Sequence, residues 1–280
     1  MNDNPNVLPL PEGYRPPPKV RDVSFSEIVN AAGRGMTDFR TARLKSIFFG
    51  LVYALGGIAV VLSATWLDMP WISYPLATGF LLLGPFAAVG LYEISRRLET
   101  GEPLAFGEIL SVMYAQRSRE IGWMSFVVLF FFICWMYQVR LLLALFLGFE
   151  PIDTFTGFLQ TVFTTGPGLM FLLVGHVVGA ILSAVLFSLS VISFPILLDR
   201  NIDFITAMIA SVQTVVKNPL AMLGWAAIVV ILLIVGSLPM FLGMIVILPV
   251  LGHTTWHLYR LAIEPEDATS AAEDKARAGE

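Results

Sequence analysis

Six long apolar runs constrain the fold of this chain more than any other feature of its sequence. They cover about Leu44–Trp66, Trp71–Leu98, Ile121–Leu147, Gly168–Leu198, Pro219–Val235 and Leu238–Arg260. Because a helix rises about 1.5 Å per residue, each run is long enough to cross a hydrocarbon core about 30 Å thick. A water-soluble fold cannot hide several runs of about 20 apolar residues. We therefore expect an all-α membrane protein with six transmembrane helices and the lipid bilayer as its solvent.

The composition agrees with a membrane protein. Hydrophobic residues make up 56% of the chain and charged residues 14%, whereas a soluble domain carries roughly a quarter charged residues. The net charge is −4, and the basic residues lie beside the apolar runs and form no broad patch, so no nucleic-acid partner is expected. The single cysteine, Cys134, excludes an intrachain disulfide and a cysteine-based metal site within one chain.

The Lys and Arg residues predict the orientation. All but one of the seventeen lie up to the start of the first run, at or after the end of the second run, after the fourth run, or from the end of the sixth run onward. The exception, Arg140, lies within the third run. Since basic residues remain on the cytoplasmic side, both termini are expected in the cytoplasm. The proline-rich residues 1–23 and the polar residues 263–280 are predicted to be disordered tails that flank a membrane domain at 24–262.

An internal repeat is also predicted. Three cytoplasmic segments show apolar residues at helical spacing, and each precedes a pair of apolar runs. Their apolar positions are Phe25, Ile28, Val29, Ala32 and Met36; Phe106, Ile109, Leu110, Met113 and Tyr114; and Phe204, Ile205, Met208, Ile209, Val212, Val215 and Val216. The second run of each pair contains a proline, Pro85, Pro195 or Pro249, where a helix bend is expected. We therefore expect repeat units at about 24–98, 105–198 and 203–261, arranged around a pseudo-threefold axis along the membrane normal.

Local signals predict where some helices begin. Ser24 and Glu27 fit a capping box, and Asp203 can cap the third amphipathic helix. The connection between the third and fourth runs, from Gly148 to Pro167, is expected on the outer side and is called the outer connection. Its apolar residues from Phe155 to Phe163 recur at helical spacing and predict a short interfacial helix. A gate over a central cavity is the alternative for this segment.

Ionisable residues inside apolar runs are costly, so each is a candidate functional residue. Arg140 and His176 fall at similar depth in the outer leaflet and would form an anion or proton site if they met. The simpler alternative is an arginine that extends to the headgroups and a histidine bonded to nearby backbone.

A second group of candidates lies near the inner ends of the runs. His253 and His257 are four residues apart, a spacing that can place two imidazoles on one metal ion or haem. In the repeat alignment His257 falls opposite Glu93, so an inner-leaflet polar site would bring these two side chains together. The simpler alternative is a ring of solvated charges at the helix ends.

Several segments resemble one family. These are Phe25-Ser26-Glu27-Ile28, Gly84-Pro85-Phe86, the stretch from Gly90 to Arg97, and Leu248-Pro249-Val250. Together they are similar to a family of bacterial proteins known only as predicted integral membrane proteins, a domain of unknown function, over roughly residues 20–262. The resemblance implies a multi-pass protein of the bacterial inner membrane and brings no activity, substrate or catalytic residue.

The sequence contains no motif for a reaction: it has no phosphate-binding glycine loop, no GxSxG elbow and no HExxH. We therefore expect no enzyme activity, no cofactor and no metal site. A non-enzymatic scaffold or assembly component that contacts other membrane proteins is the favoured function. A carrier or channel for a small solute is the alternative, and haem or metal binding through the two inner histidines is a weaker one.

Overall fold

The fold is all-α in the part of the chain that the structure describes. This computed structural model describes residues 18–65, 70–116, 120–148 and 155–265, without the side chains of 64–84, 116 and 155–156. Most of both predicted tails therefore lies outside the description. In chain order the helices are α1 (Phe25–Thr41), α2 (Arg43–Thr65), α3 (Pro70–Thr100), α4 (Phe106–Gln116), α5 (Glu120–Leu147), α6 (Phe155–Thr164), α7 (Gly166–Ser190), α8 (Ser193–Asp199), α9 (Phe204–Lys217), α10 (Pro219–Ser237) and α11 (Met244–Ala262).

The predicted helix starts are confirmed where a side chain caps them. Ser24 accepts a hydrogen bond from the backbone of Glu27, whose carboxylate accepts one from the backbone of Ser24, so α1 begins with a complete capping box. Asp203 caps α9 by accepting from the backbone of Thr206. The short helix expected in the outer connection is α6.

Four helical segments of the described chain are long and apolar enough to cross a membrane. They are Arg43–Ser63, Glu120–Leu147, Gly166–Asp199 and Pro219–Ser237. The chain is therefore a multi-pass membrane protein by its candidate spans. The other two predicted spans, α3 and α11, are not among the four. Half of α3 has side chains outside the description, and the inner half of α11 carries polar residues from His253 to Arg260.

One predicted span is interrupted. The fourth apolar run forms α7 and α8, separated at Val191 and Ile192. Pro195 explains the position, because a proline has no N–H to bond the carbonyl four residues earlier and its ring crowds that carbonyl. At the same interruption, the backbone N–H of Ile192 donates to the hydroxyl of Ser211 on α9, at 3.1 Å. Pro249, in contrast, lies inside the continuous helix α11.

Two glycines let α1 and α2 lie directly against α11. A Cβ added to Gly35 would lie 2.6 Å from the backbone nitrogen of Thr254, and one added to Gly50 would lie 2.8 Å from the Cα of Ile245. Both distances are shorter than real Cβ contacts, so only glycine allows the backbones to approach this closely.

The buried core lies at the ends of the spans where the basic residues are; these ends are predicted to face the cytoplasm and are called the inner ends below. Its largest fully buried side chains include Phe49, Ile94, Ile192 and Trp256. The amphipathic helices contribute small residues to this core: α9 buries Ala207, Ala210, Ser211, Thr214 and Val215. The predicted apolar faces are only partly buried, since the following large side chains remain exposed: Phe25, Val29, Leu110, Tyr114, Ile205, Ile209 and Val216.

Main-chain pairing extends the folded part slightly beyond the predicted bounds of 24–262. Val20 and Ile263 form an antiparallel bridge. Arg21 donates from its backbone to Ala262 at 2.8 Å, and Glu264 donates to Lys19 at 3.0 Å. The two ends of the membrane domain are thus joined beside α11.

Candidate functional site

A chain of buried hydrogen bonds joins α1, α2, α3 and α11 at their inner ends. Ser46 lies 2.9 Å from Nε2 of His253, whose Nδ1 lies 2.7 Å from the hydroxyl of Ser95. Ser95 donates to Asp38 at 2.7 Å, and the same carboxylate oxygen lies 2.8 Å from Nε2 of His257. Ser46, Ser95 and His253 are each 0% exposed, so the two bonds to the His253 ring cannot be replaced by bonds to bulk water, whereas the two bonds to Asp38 are only partly buried. We call these five residues the histidine network.

The hydrogen atoms of the histidine network have one consistent arrangement. Ser95 has a single hydroxyl hydrogen and donates it to Asp38, so it must accept from Nδ1 of His253. A neutral His253 ring then accepts at Nε2 from the hydroxyl of Ser46. Asp38 also accepts from Nε2–H of His257. In this arrangement each of the four bonds has one donor and one acceptor, and both nitrogens of His253 are engaged.

An ion-pair cluster fixes the end of α3 to the following loop and α4. Glu93 is 1% exposed and accepts from Arg96 at 2.8 Å and from Arg97 at 2.6 Å. Arg96 also pairs with Glu102 at 2.9 Å, and Arg97 pairs with Glu108 on α4. The hydrogen bonds from Arg96 lower the pKa of the Glu102 carboxyl.

A third polar group joins α3, α8 and α11. The carboxylate of Glu99 accepts from the indole of Trp256 and from Arg260, each at 3.0 Å. Asp199, the last residue of α8, accepts from the hydroxyl of Tyr259 and from Arg260. Arg260 therefore bridges carboxylates from two helices, and the inner ends of α3, α8 and α11 are held in fixed register.

The inner candidate residues are therefore brought to one end of the bundle, but in different pairs from those expected. Glu93 pairs with arginines and His257 with Asp38, so the predicted contact between Glu93 and His257 is not formed. The side chains of Glu93, His253 and His257 are also buried, whereas a ring of solvated charges would leave them exposed. Among the described residues, no group of three His, Cys, Asp or Glu side chains is placed to hold a metal ion.

The histidine network includes three residues that the sequence analysis did not select: Asp38, Ser46 and Ser95. A signal for Asp38 was present, because it continues the spacing of the buried residues Ile28, Ala31 and Gly35 along one face of α1. A carboxylate on an apolar face indicates a buried partner. The identity of that partner was not visible, since His257 lies 219 residues away.

The contact between Ser46 and His253 has the donor and acceptor arrangement of a serine activated by a histidine base. Both side chains are fully buried among packed helices, so the geometry gives a substrate no access to the hydroxyl. The contact therefore acts structurally, by satisfying polar atoms and aligning α2 with α11.

The outer candidates, Arg140 and His176, do not form a pair in the described contacts. Nδ1 of His176 lies 2.7 Å from the carbonyl of Leu172 one turn earlier, which is the backbone bond expected of a solitary histidine. Arg140 is exposed on α5. His176 instead lines a cavity of about 450 Å³ between α5 and α7, together with Trp135, Gln138 and Gly175. Gln138 was not predicted as a site residue, although a polar amide within an apolar run indicates a candidate site just as a charged residue does.

Comparison with known proteins adds a family and no activity. Residues 73–199 match a family described as predicted integral membrane protein, DUF2189. No curated protein and no solved structure matches the chain. The match covers α3 to α8, including Glu93, Ser95 and the hairpin of α5 and α7, and it confirms the resemblance found in the sequence. Over this region, which is less than half of its length, the chain is similar to a family of predicted integral membrane proteins whose function is unknown.

Proposed function

We propose that this chain is a non-enzymatic scaffold of the bacterial inner membrane that holds another membrane protein against the outward face of α5. The observation that carries the proposal is how little of α5 its own chain covers. Only 6% of its most apolar stretch is buried, the same share as in the segment that contains α7, against 33% in α2 and 22% in α10. The rest of the helix offers a long surface to lipid or to a second protein.

The exposed residues of α5 form one continuous face. Phe126, Phe130, Tyr137 and Leu141 are each more than half exposed and recur at helical spacing. Aromatic side chains supply large contact areas at low entropic cost, which is why they are frequent at protein interfaces. We call these four residues the α5 outer face.

Polar groups on the same side favour a protein over lipid as the neighbour. Arg140 is exposed, and Tyr137 places a hydroxyl in the outer half of the span. Polar groups in hydrocarbon are costly unless they are paired or extend to the headgroups. A partner helix that supplies an acceptor at the depth of Arg140 would remove this cost, and the rigid inner end of the bundle would keep α5 in position to receive it.

The proposal includes six spans, cytoplasmic termini and three related units. The order of elements supports it, since an amphipathic helix, a span and a returning helix follow one another as α1–α2–α3, α4–α5–α7 and α9–α10–α11. The exposed apolar side chains of α1, α4 and α9 also support it, because they suit helices that lie in the inner leaflet while their small residues face the protein.

Site-specific photo-crosslinking tests the scaffold. A photoreactive amino acid replaces Phe130 on the α5 outer face, or Leu173 on α7 as a control of similar exposure, at 62% and 60%. After illumination of intact membranes, we expect a discrete protein adduct from position 130 and lipid adducts alone from position 173. Lipid adducts alone from both positions, together with purification of a consistently solitary protein in mild detergent, would contradict the scaffold.

A carrier for a small solute is the second candidate, and a central cavity favours it. This cavity, of about 230 Å³, is lined by α2, α3, α7, α8, α10 and α11 and includes Tyr53, Tyr92 and Trp225. Its lining is mainly apolar, and the histidine network and the ion pairs lie at the inner ends of the same helices. A carrier would therefore take an uncharged solute and would have to open this end. Solute-dependent swelling of proteoliposomes that contain the protein would support this candidate over the scaffold.

A further inference from the structure

The cavity between α5 and α7 contains an unsatisfied polar atom. Oε1 of Gln138 is buried and has no hydrogen-bond partner, the one such side-chain atom among the described residues. A buried polar atom without a partner costs about 1–3 kcal/mol. Gln138 lines the cavity together with apolar side chains such as those of Trp135 and Leu142. One residue that lines the cavity thus carries an acceptor for which the described residues provide no donor.

The size and lining of the cavity suit a small molecule that dissolves in the bilayer. Its volume of about 450 Å³ falls within the range of about 300–1,000 Å³ for small-molecule sites. The lining is mainly apolar: Trp135, Leu142 and Phe171 are among its residues. Such sites usually combine an apolar wall with a few polar groups that set the orientation of the ligand.

A second acceptor is available in the same cavity. Nδ1 of His176 is engaged with the carbonyl of Leu172, so in the neutral ring Nδ1 carries the hydrogen and Nε2 carries a lone pair. Gln138 and His176 therefore both favour a ligand that donates hydrogen bonds.

Two glycines of α7 create the space. A Cβ added to Gly179 would lie 2.8 Å from the indole of Trp135, so this glycine allows the indole to approach α7 closely. A Cβ added to Gly175 would meet only Leu142, at 3.8 Å, so a larger side chain at position 175 would extend into the cavity.

We propose that the cavity between α5 and α7 binds an apolar molecule that carries a hydroxyl group, with the hydroxyl donating to Oε1 of Gln138. Phenolic and aliphatic alcohols of the bilayer share this chemistry. The site is independent of the α5 outer face, because Trp135, Gln138 and Leu142 lie on a different side of α5 from Phe130, Tyr137 and Leu141.

Matched probe pairs test the proposal on the full chain in lipid nanodiscs. Binding of 4-nonylphenol is compared with that of 4-nonylanisole, in which a methyl group replaces the hydroxyl hydrogen. Dodecanol and its methyl ether form the aliphatic pair, and empty nanodiscs correct for partition into lipid. One neutral hydrogen bond corresponds to about a five- to tenfold difference in affinity. We expect that preference for the hydroxyl form in at least one pair, and the pair that shows it identifies the source of the ligand.

Variants assign the effect to the cavity. Gln138→Leu should remove the preference for the hydroxyl form and leave the ether affinity unchanged, whereas Gly175→Leu should abolish binding of both forms. Gln160→Leu, a matched change on the exposed side of α6, should have no effect. Gln138→Leu should also keep or raise the thermal unfolding midpoint, because it removes an unsatisfied buried atom. Equal affinity for alcohol and ether in both pairs, or a Gln138→Leu protein that unfolds at lower temperature, would overturn the proposal.

Discussion

The hydroxyl of Ser95 on α3 lies 2.7 Å from Nδ1 of His253 on α11, and it is the only link between that ring and the carboxylate of Asp38 in the histidine network. Because Ser95 accepts from the ring and donates to the carboxylate, its removal leaves Nδ1–H of His253 without a partner and takes one donor from Asp38, which keeps the bond from His257. The histidine network should therefore depend on this one hydroxyl.

Ser95→Ala should lower the free energy of unfolding by about 1–3 kcal/mol, since Nδ1–H of His253 would be left buried and unpaired. The measurement is a denaturant titration in mixed micelles. Ser188→Ala is the control, because Ser188 is exposed and bonds only to the backbone of its own helix. The control should change the free energy by less than about 0.5 kcal/mol. Equal effects of the two changes would show that the histidine network contributes no stability.

Glu93→Gln should be more damaging than Ser95→Ala. The change removes the carboxylate between Arg96 and Arg97 and leaves Arg97, which is 7% exposed, with part of its charge uncompensated. Breaking a buried ion pair from one side costs about 3–5 kcal/mol, and the remaining bond from Arg97 to Glu108 should keep the loss near about 3 kcal/mol.

The same titration should show little change for Glu102→Gln, because Glu102 is an exposed partner of Arg96 and such pairs contribute little. If Glu102→Gln lowered the free energy of unfolding as much as Glu93→Gln does, the burial of an ion pair would not determine its contribution to stability in this protein.

Two glycines of α1 provide a sharp test of how this helix packs. Gly35 faces the backbone of Thr254, whereas Gly33 has no atom within 4 Å of an added Cβ. Gly35→Ala should destabilise the protein by about 1–3 kcal/mol by forcing α1 away from α11. Gly33→Ala should stabilise it by about 0.5–1 kcal/mol, because alanine loses less backbone entropy in a helix. Thermal unfolding midpoints of both variants should therefore move in opposite directions, and a shift in the same direction would contradict the packing of α1 on α11.

The sequence was sufficient for the helices but not for their contacts. Apolar runs and helix caps are formed by residues that are close in sequence. The ends of α2 and α5 were therefore predicted to within one residue of those observed. The interruption between α7 and α8 was missed, although Pro195 was recognised, because a proline at membrane depth either bends a helix or breaks it according to the partners nearby. Here the backbone N–H of Ile192, at the interruption, donates to the hydroxyl of Ser211 on α9, a partner outside its own helix.

The candidate site shows the same limit. His253, His257 and Glu93 were selected because charged and polar groups near apolar runs are unusual. Their partners depend on how α1 and α3 lie against α11, and no local pattern specifies that arrangement. The contact from Asp38 to His257 spans 219 residues of sequence and forms only when the helices are packed.

The cap of α9 predicts a specific acid dependence of stability. Bonds from Thr206 lower the pKa of Asp203 below its ordinary value of 3.8. The folded state therefore binds this proton less readily than the unfolded state, so the cap contributes its full stability above about pH 3.8 and loses it as the pH falls further. Asp203→Asn keeps a capping oxygen but does not titrate. The difference in unfolding midpoint between wild type and variant should be largest near pH 7 and vanish in acid, and a constant difference would contradict this account.

Single-cysteine labelling tests the orientation of the spans in the Cys134→Ala background. Gly107→Cys lies in α4, between the second and third predicted spans, and Gln160→Cys lies in α6, in the outer connection; both positions are exposed in the structure. The basic residues should keep the first position in the cytoplasm, whereas the connection that holds the second has no Lys or Arg. A membrane-impermeant maleimide added to intact spheroplasts should therefore modify the cysteine at 160 and reach the one at 107 only after lysis. Labelling of position 107 in intact spheroplasts would reverse the orientation and remove the cytoplasmic assignment of both termini.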